Sequence, residues 1–228
     1  MAISFVQNSG VTSNVGTTNT QNPSVTGGTD MIALVWVETS TIGVEPTSVT
    51  WGGVSMTKIN TFSTGTSRQT QISLWGLLLG TTTTGSKTIT ATWASSYSTN
   101  LLWATYSGVS QSNSIASLQN STNGTTGSTT TTNEITSSIT PSFSNSWLVC
   151  FGIDLTSSIA SINSGTTVRY WGNWSIFDSG GVVSGPSTLG ITMSSAALFG
   201  NNAVVLIPTG ATAPTTGSKL LLSYIVNQ

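Results

Sequence analysis

The sequence predicts an all-β protein, an antiparallel β-sandwich whose favoured arrangement is a jelly roll of two sheets. Three observations lead there. Apolar segments are short and strand-like, either alternating with hydroxyl residues or continuous over seven to nine positions. Gly and Pro punctuate the intervals between them, as at Gly27-Gly28, Gly52-Gly53, Gly180-Gly181 and Gly185-Pro186. No segment carries a convincing helical period. An up-and-down barrel is the second arrangement, and a β-helix is set aside because no fixed short repeat occurs.

The elements follow in order. Residues 3–7 open the chain as a strand. Residues 31–37, Met-Ile-Ala-Leu-Val-Trp-Val, form a continuous apolar run, the pattern of a central strand covered on both faces. Residues 48–51 and 71–79 are further strands. In 86–93, Lys87, Ile89, Ala91 and Trp93 alternate with Ser86, Thr88, Thr90 and Thr92, which places β-branched hydroxyl residues on the outer face. Residues 100–107 follow. A second buried run spans 147–155, and strands are expected at 166–177, 189–194, 203–207 and 220–226. Only 194–199 reads as a short helical turn. Residues 110–134 are low in complexity and read as an exposed loop or a linker. Residues 1–207 are taken as the sandwich domain, and 208–228 as a Pro/Thr/Gly linker leading to a last apolar strand.

Composition narrows function further. The 228 residues hold five Lys/Arg, six Asp/Glu and no histidine, while Ser and Thr fill about a third of the chain, well above ordinary usage. A disordered Ser/Thr stalk is excluded by a hydrophobic content of 37% and by eight Trp, six Phe and four Tyr. Without an imidazole, a Ser-His-Asp arrangement cannot exist, and zinc or copper sites lose their commonest ligand. A glycosidase needs two facing carboxylates; Glu38, Glu45, Glu134, Asp154 and Asp178 are scattered and read as structural. No EF-hand-type loop occurs, and Asp30 and Asp178 adjoin Gly-rich turns that they would cap. No cofactor is expected. A net charge of −1 gives no basic footprint for nucleic acid, and no apolar run reaches the ~18–20 residues of a membrane-spanning helix. The start at Met1 lacks a charged and apolar leader, so export by a general secretory route is not expected. Cys150, in Trp147-Leu148-Val149-Cys150-Phe151, reads as a buried small hydrophobe. The sequons at Asn120, Asn123 and Asn173 arise readily in so hydroxyl-rich a chain, and the Thr runs at 81–84 and 129–132 lack the regular spacing of an ice-binding face.

An ordered series of segments marks the first half of the chain. It runs from Thr47-Ser48-Val49-Thr50-Trp51-Gly52-Gly53 through Leu74-Trp75-Gly76-Leu77-Leu78, then Gly85-Ser86-Lys87-Thr88-Ile89-Thr90-Ala91-Thr92, to Tyr106-Ser107-Gly108-Val109. It resembles the Ser/Thr/Gly-rich, lectin-like jelly-roll domains of phage and viral virion proteins and bacterial surface proteins. The second half fits through the strand at Trp147 and the Arg169 to Asp178 segment. The resemblance implies a non-enzymatic sandwich on a virion or cell surface. The shared positions are turn and strand residues, so no functional residue carries over.

Two constellations are candidates for binding. In Trp171-Gly172-Asn173-Trp174, a strand would send Trp171 and Asn173 to one face and Trp174 to the other. One Trp with its amide neighbour would then form a sugar-stacking platform, or both rings would be covered by a sheet, a loop or a subunit. In the last strand, Leu220, Leu222, Tyr224 and Val226 would share one face, closing the chain's own sandwich or adding as an assembly arm to a neighbouring subunit. The functional expectation is a virion structural or surface protein: a capsid decoration, spike or fibre-associated sandwich. Its partners would be copies of itself and other virion proteins. The alternative is a lectin-like adhesion module binding surface glycans, extracellular or on a cell surface.

Overall fold

The computed structural model describes residues 1–64, 69–124, 132–154, 159–183, 185–197 and 199–211. Among these lie eighteen strands. The first ten are β1 (Ser4–Asn8), β2 (Thr12–Gln21), β3 (Ser24–Val25), β4 (Gly28–Thr39), β5 (Ser48–Trp51), β6 (Val54–Ser55), β7 (Thr57–Ser63), β8 (Gln71–Thr82), β9 (Gly85–Ser86) and β10 (Ile89–Ser107). The rest are β11 (Asn120–Gly124), β12 (Thr132–Ile139), β13 (Trp147–Asp154), β14 (Ile159–Ile162), β15 (Thr167–Tyr170), β16 (Trp174–Asp178), β17 (Ser187–Ala197) and β18 (Phe199–Leu206). A 3-10 turn at Ile115–Ser117 is the only helical piece among the described residues. The predicted all-β, sandwich-like fold is present, and every ladder between the strands is antiparallel.

The largest sheet is built on β10, whose 19 residues serve two layers. Its first part, Ile89 to Thr92, pairs with β5, and its second, Thr99 to Tyr106, pairs with β4. Between them Ala94, Ser95 and Ser96 are exposed, and the register with β2 shifts between Thr92 and Tyr97. Such an irregularity bends a strand. The sheet (order β6-β5-β10-β4-β8-β7, with β1 and β2 on the other edge of β10) therefore folds back over itself. The Gly52-Gly53 turn between β5 and β6 has φ of 59° and 81°, the left-handed pair that a two-residue hairpin turn requires.

Strand alternation sorts side chains into three cores. Ala33, Val35 and Val37 of β4 join Trp103, Trp51, Ile89 and Ala91 inside the fold-back, where Trp51 and Trp103 meet edge to face at 5.5 Å. Ile32, Leu34 and Trp36 point the other way, onto Trp147, Val149, Phe151, Val204 and Leu206 of a second sheet, β11-β18-β13-β16-β15. The reverse face of that sheet, with Leu148, Cys150, Phe177 and Val205, packs on Leu189, Ile191 and Met193 of a third sheet, β12-β17-β14. This explains the apolar runs of β4 and β13: both are covered on each face. A short β3-β9 ladder completes the set.

Three expectations are corrected. Residues 171–173 are not strand but the turn joining β15 to β16, because pairing stops at Tyr170 and resumes at Trp174. Residues 194–197, read as a helical turn, continue β17, because Thr132 of β12 pairs with Ala197. Within 110–134, the described residues are tied down: Ile115 and Leu118 are buried, and Asn120–Gly124 pairs with β18. The 220–226 strand with Leu220, Leu222, Tyr224 and Val226 lies outside the described residues.

Candidate functional site

Three charged side chains of the described residues, Asp178, Arg169 and Glu38, fasten one sheet to another. Arg169 donates from Nε to Asp178 Oδ2 (2.8 Å) and from Nη2 to Oδ1 (3.1 Å), a bidentate pair around a fully buried carboxylate. Tyr106, reaching from β10, donates to the same Oδ2 at 3.0 Å, and the Gly180 amide donates to Oδ1 at 2.8 Å. The expected turn-capping role of Asp178 is present, within a larger network. Arg169 also lies 4.6 Å over the Phe5 ring, bringing in β1. Burial first, then the Asp178 carboxylate, holds the Tyr106 phenol well above its ordinary value, so it acts as a fixed donor. A second tie joins Glu38 of β4 to the indole Nε1 of Trp174 (2.7 Å) and the Asn100 amide (2.9 Å). A third is uncharged: Trp36 Nε1 donates to Asn202 Oδ1 (3.0 Å), and Asn202 Nδ2 to Asn60 Oδ1 (2.8 Å). Glu45 pairs with Lys58 at the surface, and Asp30 accepts from the Thr209 hydroxyl.

The predicted aromatic platform is divided between cores. Trp171 is half-buried against the third core and Trp174 half-buried against the middle one, with exposed Asn173 between them in the turn. Cys150 is fully buried, as expected; burial foremost pushes its thiol up to about 12. Trp51, Trp75, Trp93 and Trp103 are buried packing residues. Core hydroxyls serve two of them: Trp75 Nε1 donates to Ser73 Oγ and Trp93 Nε1 to Thr39 Oγ1. The Nε1 atoms of Trp51 and Trp103 have no such partner among the described residues.

A groove of about 350 Å³ runs between the Gly52-Gly53 turn and the end of β8. Its lining includes the apolar Trp51, exposed Val54 and half-buried Leu77 and Leu79, together with Thr81, Thr83 and Lys87. Lys87 is half-buried, and among the described residues its ammonium group has no carboxylate or hydrogen-bond partner. Nothing local in the sequence marks this groove, since its walls come from three separate segments joined only by the fold-back.

Comparison with protein-family models, curated proteins and solved structures finds no match to this chain.

Proposed function

We propose that this chain is a non-enzymatic structural protein of a virion surface, a capsid decoration, spike or fibre-associated sandwich that works by self-association or docking on a shell. The observation that carries the assembly part is β2. Its ten residues, TSNVGTTNTQ, contain no charge and no proline, and among the described residues it pairs on one edge only, with β10. Edge strands that avoid association usually carry such blocking devices, and an unblocked edge is a template for strand addition. Val15, 74% exposed, sits on this strand. The short β14 strand, Ile-Ala-Ser-Ile, is a second uncharged edge, with Ile162 exposed. The use of Asp178, Arg169 and Glu38 as sheet ties supports a scaffold reading of the few charges. The virion setting rests on the sequence pattern of the first half.

The test is light scattering after size exclusion. The wild type is expected at a multiple of the 23.5 kDa chain mass. A Val15→Lys/Thr17→Lys variant should shift toward the monomer, because opposed like charges on a pairing edge repel. A wild-type monomer at high concentration overturns the proposal. A second reading, a lectin-like adhesion module, is favoured by the groove beside Lys87.

A further inference from the structure

Resting on that second reading, we infer that the groove between the Gly52-Gly53 turn and the end of β8 binds a carboxylated pyranose, such as a hexuronic acid unit of a surface glycan, with Lys87 as the partner of the carboxylate. The lining supplies each part of that chemistry. Val54, Leu77 and Leu79, backed by Trp51, offer an apolar surface of the kind on which the C–H face of a sugar ring packs. Thr81 and Thr83 also line the groove, and neither hydroxyl has a partner among the described residues, so both are available to ring hydroxyls. Lys87 stands within the groove with its charge uncompensated, whereas Lys58 is paired with Glu45 and Arg169 with Asp178. Trp51 Nε1 is a buried donor that also lacks an acceptor among the described residues.

The size and the charge select among anions. About 350 Å³ is at the small end of ligand pockets, enough for one or two sugar rings. One cation suits one carboxylate. A sulfated polyanion or nucleic acid would call for a basic stripe, which the described surface does not have. A half-exposed ammonium–carboxylate pair adds modestly, so single-site affinity should be on the order of 1 mM, raised by many copies presenting the groove together.

Saturation-transfer difference NMR with methyl β-D-glucuronide, which observes the ligand and tolerates large assemblies, tests the inference. Saturable binding is expected, weakened about five-fold or more by Lys87→Gln and restored by Lys87→Arg, with neutral methyl β-D-glucoside bound at about the weakened level. Equal binding of the two sugars, or indifference to Lys87→Gln, overturns the site. So does tighter binding of an acidic dipeptide, which would make the groove a protein-docking point. A glycan array separates this failure from that of the adhesion reading. Acidic-glycan signals insensitive to Lys87→Gln but lost in Trp171→Ala remove the groove and keep adhesion, while a blank array removes both.

Discussion

Replacing Asp178 with alanine should be the most damaging single change to the charged groups. The carboxylate is fully buried and accepts from Arg169 twice, from Tyr106 and from the Gly180 amide. Removing it strands the guanidinium, whose side chain is 21% exposed, beside the Phe5 ring. Breaking a buried pair from one side costs about 3–5 kcal/mol, and the partial exposure of Arg169 puts this case near the lower figure. Tyr106, which is wholly buried, would also keep an unsatisfied hydroxyl, adding about 1–3 kcal/mol. The sum is about 4–6 kcal/mol, comparable to the whole stability of many domains. Tyr106→Phe alone should cost only about 1.5 kcal/mol, because Asp178 keeps its other three donors. In the Tyr106→Phe background the Asp178→Ala penalty should therefore fall by a similar amount. Urea unfolding of the four proteins, with matched m-values, measures this cycle. A loss below about 1 kcal/mol for Asp178→Ala, or strict additivity of the two changes, would refute the network as the tie between sheets.

Two further outcomes concern titration and the second tie. Tyr106 and Cys150 both have folded-state values raised above their unfolded ones, so the stability they contribute is intact below about pH 9 and is lost as pH rises. Urea midpoints taken upward from pH 8 should decline first as the unfolded Cys150 thiol ionises and then more steeply past about pH 10, with a limit of about 1.4 kcal/mol per pH unit per group. Cys150→Ala should delay the onset by about one pH unit, and a flat profile to pH 11 would contradict the burial of both groups. Trp174→Phe keeps the half-buried ring but removes the indole donor to Glu38, and should lower stability by about 1–2 kcal/mol by the same assay. No loss would mean that the carboxylate is satisfied without the indole donor.

The buried strands were legible because burial on both faces leaves an uninterrupted apolar run, as in β4, and burial on one face leaves alternation, as at Ile89, Ala91 and Trp93. The edge strands β2 and β7 and the short β11 and β14 were not legible. Thr, Ser and Asn supply their outer faces, and a strand that buries little carries almost no hydrophobic period. Trp171 to Trp174 misled because two aromatic residues flanking Gly-Asn fit a strand period, whereas the ladder of β15 ends at Tyr170 and the rings part at a turn. The pairings of Tyr106 with Asp178 and of Glu38 with Trp174 join positions 72 and 136 residues apart, and no spacing rule reaches that far. The groove was hidden for the same reason: Lys87 reads locally as a solvated charge at the head of an alternating strand.

The division of strands between sheets also bears on the order of events during synthesis. Every strand of the folded-back sheet and of the short β3-β9 ladder lies within residues 4–107, whereas the second and third sheets come entirely from 120–206. A ribosome that has released residue 107 has thus delivered a sheet whose fold-back core can close, while Ile32, Leu34, Trp36 and Leu102 still face water. Until Trp147, Val149 and Val204 emerge to cover it, that face is a sticky, unfinished surface. Copies translated close together would meet through it as well as through the β2 edge, so the length of this interval, and any chaperone that shields it, should govern yield more than the stability of the completed protein.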